Sequence, residues 1–431
     1  EMIRVHSRQF KIDLDDLRWR IEKIDSLKRQ SAKERYRYPL FELDVLAFED
    51  ALEDLELDGT VVVRHKNSVA LRYFDNEERL IAENIKRLSH TEEWPVQVDL
   101  ERTLDAYLKK HHIELEKKQR EAVLKFTAKK GGFYVLNGSA GCGKTFTLKI
   151  ILDIMRLVFK VNKEPFKVKI TAPTGKASKV ATKATGYKAE TIHRALEYHP
   201  QVGFQRNQLN PLDCTVLVVD ESSMMDVELA AALFTAVRTG TTVILVGDTK
   251  QLPSVGAGNV LRDLVSSDLV EVVTLDVIKR QDKLSGIIKN ANLIINGKMM
   301  KTWKDTRDAY IIHEESDESI QKKLIASIKR LLELGYTLDD VQVLVPQKRG
   351  SIGVYELNRL IQSIFNQNAD SKLKNHHSAK VDLYFREGDK VIHIRNNYDK
   401  MWYQKDENGD YIPLNKFGVT NGETGVIDKI D

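Results

Sequence analysis

The octapeptide GSAGCGKT, Gly138 to Thr145, carries the most specific chemistry in the chain. It satisfies G-x-x-x-x-G-K-[ST], a loop whose backbone N–H groups curl around a phosphate, whose Lys reaches the β- and γ-phosphates, and whose hydroxyl holds Mg²⁺. Gly138, Ser139, Ala140, Gly141, Cys142, Gly143, Lys144 and Thr145 are therefore the expected nucleotide-binding set. TVLVVDESS (215–223) ends an apolar run in two carboxylates. Asp220 is the expected second anchor for the metal, through water, and Glu221 the group that polarises the attacking water. VILVGDTKQLPSVGAGNVL (243–261) ends another apolar run in Gly247-Asp248, with Gln251 placed to contact the γ-phosphate or its water. Loss of that phosphate would move the loop carrying Pro253 and Ser254. Arg280, in TLDVIKRQ, is a candidate arginine finger, and Gln119, in KKQREAV, an amide for an adenine edge. ATP with Mg²⁺ is the ligand pair these residues imply.

A second set of residues suits a polyanion. TAPTGKASKVATKATG (171–186) begins where a strand should end, so Thr174, Gly175 and the first amides of the next helix can meet a phosphate. Lys176, Lys179 and Lys183 follow at i, i+3 and i+7 on one face. Contacts to backbone phosphates tolerate any base sequence.

Elements must hold these groups in place. Five short, continuously apolar runs, 133–136, 167–171, 215–219, 242–246 and 272–275, read as strands covered on both faces. Such strands belong to a parallel sheet flanked by helices, a doubly wound α/β fold. Residues 1–100 read as a separate, mostly helical unit: an amphipathic stretch at 41–59, a hairpin in VVVRHKNSVALRYF (61–74) turning at Asn67-Ser68, and a helix at 75–89. Helix, ribbon and helix suggest a winged-helix-like module. Residues 278–380 contain helices at 284–297, 318–334 and 354–366 and a buried-strand candidate, VQVLVP (341–346). Beyond 381, turn signals such as Asn-Gly at 408–409 and 421–422 suggest the beginning of a small β-barrel.

Composition narrows the class. The 431 residues are 42% apolar and 30% charged, as in ordinary globular chains with two to four domains. Net charge over 1–100, 101–200 and 201–431 is −5, +12 and −3, so the basic excess surrounds the glycine loop. No apolar run approaches the roughly 20 residues that cross a bilayer. Two cysteines, Cys142 and Cys214, form no disulfide framework, and a reducing, cytoplasmic setting is expected.

Taken in order, KKQREAV, GSAGCGKT, TAPTGKASKVA, TIHRAL, VVDESSMMD, VGDTKQLPSVGAGNVLRDL and VIKRQ resemble the RecD-like DNA helicases of superfamily 1. VLVPQKRGSIGVYELNRLIQ, GDKVIHIRNNYD and VTNGETGVI extend the resemblance over about 100–431, with weaker agreement from 40 to 90. The resemblance implies an ATP-dependent motor moving 5′→3′ on single-stranded DNA and separating duplex strands, with two RecA-like domains: the first at 101–277, part of the second at 278–380, and an SH3-like barrel starting at 381. It implies DNA contacts at His193 and Arg194 of TIHRAL and at Ser254. It also implies a strand-separating β-hairpin within 197–213, with Phe204 at its tip.

Two departures stand out. Lys279 occupies a position that is aromatic in many relatives, and the family's late motifs, Thr-x-His-x-x-Gln-Gly and a Thr-Arg pair, are absent between 282 and 431. A fragment lacking the rest of the second RecA-like domain is the expectation. Two roles remain open: a monomeric helicase, or an ATP-gated DNA-binding subunit of a nuclease or repair complex that does not itself unwind. A relaxase's helicase domain is disfavoured, because no His triad with a Tyr nucleophile is present.

Overall fold

Alternation inside the apolar runs decides the architecture. A computed structural model describes residues 12–13, 45–64, 68–139, 141–277, 285–306, 308–367, 374–378, 381–395, 397–406, 411–419 and 421–430. The chain divides into two compact units, 1–280 and 281–431.

In the first unit the chain runs through β1 (Ile12–Asp13), α1 (Val45–Leu57), β2 (Val61–Arg64), β3 (Ser68–Leu71), α2 (Arg72–Leu88), β4 (Thr91–Glu92), α3 (Leu100–His111), α4 (Lys117–Thr127), β5 (Lys130–Gly131) and β6 (Phe133–Gly138). It continues through α5 (Lys144–Val161), β7 (Val168–Ala172), α6 (Gly175–Thr185), β8 (Ala189–Thr191), α7 (Ile192–Ala195), β9 (Val216–Val219), α8 (Val227–Thr235), β10 (Thr242–Gly247), α9 (Val260–Ser266) and β11 (Glu271–Leu275).

Six strands form one sheet in the order β11-β6-β10-β9-β7-β8. Every pairing in it is parallel. Because successive side chains of a strand point to opposite faces, each apolar run serves two cores. Phe133, Val135, Leu217, Val219, Val243 and Leu245 pack on one face with α2, α8 and α9. Tyr134, Leu136, Val216, Val218, Ile244 and Val246 pack on the other with α3, α4 and α5. The five strands read from sequence are all present; the sixth, β8, is three residues, AET, without an apolar run to announce it.

The N-terminal segment differs from the sequence reading. Helix, antiparallel β2–β3 ribbon and helix occur in the expected order, yet α2 is not set apart. Ile81, Ile85 and Leu88 belong to the core on one face of the main sheet. Arg87 Nη2 donates to the Phe234 carbonyl at 2.7 Å, and Asn84 Nδ2 to Thr235 Oγ1 at 3.2 Å. A solvated opposite face made α2 resemble any surface helix, and its partner α8 lies some 150 residues downstream.

The second unit holds α10 (Gly286–Ile295), α11 (Asp317–Glu333), α12 (Val354–Phe365), β12 (Lys374–Ser378), β13 (Val381–Phe385), β14 (Lys390–Ile392), β15 (Asn397–Lys405), β16 (Tyr411–Val419) and β17 (Thr424–Val426). The strands pair antiparallel as β12–β13, β14–β17 and β15–β16. Asp389 organises this region: its carboxylate accepts from Gln362 Nε2 at 2.5 Å, Asn366 Nδ2 at 2.7 Å and Arg386 N at 2.7 Å. VQVLVP forms no strand. Its exposure alternates, with Leu344 87% exposed, but no described strand pairs with it in a ladder, and an unpaired strand does not hold.

Candidate nucleotide and nucleic-acid site

The strand order lays the chosen residues along one edge. All six strands are parallel, so their C-terminal ends share a side of the sheet, where ligands of open α/β sheets bind. Read from β6 across β10, β9 and β7 to β8, that edge carries the glycine loop, Asp248, the Asp220-Glu221 pair, Thr174, and then His193 and Arg194. Neighbouring strands stand about 4.8 Å apart, so this row spans roughly 19 Å.

The loop joining β6 to α5 has the backbone a phosphate cradle needs. Gly138, Gly141 and Gly143 have φ of 157°, 83° and 85°, values that favour glycine. A Cβ on Gly138 would lie 2.7 Å from both Cys142 Sγ and the Leu275 carbonyl, and one on Gly143 would lie 2.7 Å from Gln119 Nε2. Lys144 Nζ donates to the Gly138 carbonyl at 2.5 Å and the Ser139 carbonyl at 3.2 Å, which holds the ammonium over the loop. Ser139 and Thr145 are half-buried beside it. Cys142 is buried, and burial pushes its thiol pKa up, so it packs rather than reacts.

Gln119 is 1% exposed and turned into the protein. Its Nε2 donates to the Cys142 carbonyl at 3.2 Å, and its Oε1 accepts from Glu116 N at 3.1 Å, closing a capping box on α4. The amide expected to read a base instead supports the phosphate loop from behind. Spacing alone could not reveal this, since it depends on how α4 packs on the loop.

Asp220 is buried at the end of β9, and burial holds its carboxyl above the usual carboxylate range. Its Oδ1 accepts from Glu221 N at 3.0 Å, and the Lys144 charge acts on it in the opposite direction to burial. Among the described residues no Lys, Arg or His ion-pairs with it. A buried carboxylate without an ion-pair partner, near the Thr145 hydroxyl's loop, is a donor set that fits a divalent cation. Glu221 has φ 52° and ψ 38°, a left-handed conformation uncommon outside glycine. Ser222 Oγ, just beyond, donates to the Val246 carbonyl at 2.9 Å and ties this turn to β10.

The loop after β10 is knotted on Asp248, which accepts from Lys250 N at 2.9 Å and, through its carbonyl, from Gln251 N at 3.1 Å. Gln251 is exposed. Ser254 Oγ lies 2.9 Å from the carbonyls of both Gly256 and Gly258, so its hydroxyl shapes the loop. The loop rests on α8: Val227 N donates to the Ala257 carbonyl at 3.0 Å. Ala140 and Arg280 lie outside the described residues.

On the other half of the edge, Thr174 Oγ1 caps α6 by accepting from Ala177 N at 3.2 Å. Lys176, Lys179 and Lys183 are all exposed, and Gly175 is buried. Arg194 is exposed, while half-buried His193 stacks near Tyr198 and Phe204, centroids 5.4 and 5.8 Å away. Burial lowers the His193 pKa, which keeps the ring neutral. Segment 197–213 contains a very short hairpin, bridged once at His199 and Gly203. Its turn is Pro200–Gln201, closed by Val202 N donating to the His199 carbonyl at 3.2 Å, and Val202 beside it is 67% exposed. Phe204 sits at the base, packed against the core and 5.0 Å from Tyr198, because a ring that can reach apolar neighbours gains more by burial than by projecting into water. Sequence reasoning overlooked Asn137, buried at the end of β6; a polar residue inside an otherwise apolar strand was its available signal.

Two family models match the chain. An AAA domain covers residues 114–317, and the ATP-dependent RecD-like DNA helicase SH3 domain covers 357–431. In these two regions the chain resembles the RecD-like helicases. The SH3 match begins 24 residues before the 381 expected from turn signals, so it takes in most of α12. Relatives of this RecD-like chain include the ATP-dependent RecD2 DNA helicase of Deinococcus radiodurans, 34% identical over 62% of this chain and 34% of that protein. The RecBCD enzyme subunit RecD of Mycobacterium tuberculosis is 31% identical over 54% of this chain and 46% of that protein. The chain thus spans a third to a half of the length of these relatives. A solved Pif1 helicase from Candida albicans aligns over 70% of this chain and 74% of its own, with 19% identity and a TM-score of 0.37. No helix among the described residues is long and apolar enough to cross a membrane.

Proposed function

We propose that the protein is an ATP-dependent DNA helicase, moving 5′→3′ on single-stranded DNA. The observation that carries this reading is the single row of strand ends, with nucleotide-side groups on β6, β10 and β9 and phosphate-side groups on β7 and β8. Lys144 and the loop amides bind the triphosphate, Thr145 and Asp220 hold Mg²⁺, and Glu221 orients and deprotonates water. A bound Mg²⁺ neutralises charge on the transferring phosphoryl group. Gln251 senses the γ-phosphate, and the loop of Ser254 carries its loss towards α6, where Thr174, Gly175, Lys176 and Lys179 hold the DNA backbone with His193 and Arg194. Arg280 completes charge stabilisation, as in other phosphoryl-transfer enzymes. The exposed turn at Pro200, Gln201 and Val202, rather than Phe204, would be the part of the hairpin that meets a duplex.

Full-length protein should hydrolyse ATP much faster with single-stranded DNA and displace a strand from duplexes with a 5′ tail. Lys144→Ala should abolish both. Unwinding from a 3′ tail alone overturns the direction. Nucleotide-dependent DNA affinity without any strand displacement instead supports the second role, a DNA-gripping subunit of a nuclease or repair complex; the mycobacterial relative is named as a subunit of the RecBCD enzyme.

A further inference from the structure

Asn137 is the penultimate residue of β6, directly before Gly138, and belongs to neither the nucleotide set nor the DNA set. Its neighbours along the strand are Phe133, Tyr134, Val135 and Leu136, and it is itself only 7% exposed. An apolar side chain would satisfy such a position, so a buried amide there needs partners. It has two. Oδ1 accepts from the backbone N–H of Thr249 at 3.1 Å, and Nδ2 donates to Thr274 Oγ1 at 3.3 Å.

The register explains why one side chain reaches both sides. Asn137 lies opposite Gly247 on β10 and opposite Thr274 on β11. Thr249 is two residues beyond Gly247, on the loop of Asp248, Gln251 and Ser254; Thr274 lies on the strand that leads towards Arg280. Within 249–251 the other backbone donors, Lys250 N and Gln251 N, bond to Asp248 of the same loop. The described bond fastening this backbone to a neighbouring strand is the one to Asn137. On the other side of Gly138, Lys144 Nζ holds the Gly138 and Ser139 carbonyls. The Lys144 ammonium and the Asn137 amide therefore act on adjoining peptide units.

We propose that Asn137 is a positioning residue that couples the phosphate loop to the 248–254 loop. It touches no nucleotide; it acts through the Thr249 N–H. A displacement of the Gly138 peptide as Lys144 turns to a phosphate shifts the Asn137 amide, and with it the backbone that carries Gln251 and Ser254. The proposal rests on the helicase reading, because it supplies the link between hydrolysis and the DNA-side loop.

The test uses full-length protein, measuring ATP hydrolysis with and without oligo(dT), binding of a fluorescent ATP analogue, and thermal unfolding. Asn137→Leu keeps the branching and the number of side-chain heavy atoms, though not the planarity or the smaller bulk of the amide, and leaves the Thr249 N–H without its acceptor. Asn137→Ala removes the same bond should leucine not be accommodated, and Thr274→Val removes the other arm alone. We expect KM for ATP to change by less than about threefold, while the DNA-stimulated kcat falls about tenfold or more in both Asn137 variants. Thr274→Val should lose less. Folded Asn137 variants with undiminished DNA stimulation overturn this proposal alone, as does a loss confined to nucleotide affinity. Wild-type protein with no DNA-stimulated hydrolysis overturns the helicase reading and this coupling together.

Discussion

Glu221 is held in a backbone conformation that costs an ordinary residue about 1–2 kcal/mol, at φ 52° and ψ 38°. Such strain persists where surrounding contacts over-determine it, here through the Asp220 carboxylate on its N–H and Ser222 on β10. The consequence is a separation of stability from chemistry. Glu221→Gly should leave the melting temperature unchanged or higher, because glycine accepts this conformation, yet abolish turnover. Glu221→Gln should keep nucleotide binding and lower kcat by roughly 10²–10⁴, the usual worth of a positioned general base. Calorimetry and steady-state hydrolysis on the same preparations check both. Retained turnover in Glu221→Gly would remove Glu221 from the mechanism.

At the scale of elements, the start of α8 is the joint between the Asp220 turn and the loop after β10. Asp226 caps α8, its Oδ1 accepting from Leu229 N at 2.9 Å. The same carboxylate lies so close to Gly256 that an added Cβ would come within 2.2 Å of Oδ2. Asp226→Ala should cost about 0.5–2 kcal/mol as a lost cap. Gly256→Ala should also destabilise, by forcing the loop off α8. Because Asp226→Ala removes the carboxylate overlap and leaves only the Cβ contact at 2.8 Å, the double variant should be less destabilised than the two costs added together, a coupling of about 0.5–3 kcal/mol in denaturant unfolding. Strict additivity would mean the two elements do not bear on each other.

For the first unit as a whole, the N-terminal helix α2 completes the core of the sheet. Leu88 is fully buried among residues of the main sheet's core, so Leu88→Ala should cost about 2–5 kcal/mol. That loss should appear as a lower midpoint of the same transition that unfolds the nucleotide-binding sheet, followed by loss of nucleotide affinity. An early, separate transition that left nucleotide binding intact would show that α2 folds as a module of its own.

Much of this was legible from residue order. GSAGCGKT, VVDESS and VGDTKQ each follow a run of apolar residues, and the only common way to bury such runs on both sides is a parallel sheet. The C-terminal ends of those strands then had to carry the chemistry. What order along the chain does not contain is lateral neighbourhood. That β10 lies between β6 and β9, that Gln119 turns inward to the loop, that Phe204 folds back on Tyr198, and that Asn137 reaches Thr249 are outcomes of packing between segments far apart in sequence. Hydrophobic periodicity specifies which face of an element is buried, but it is silent on which other face will cover it. That choice was made by close packing across the whole sheet.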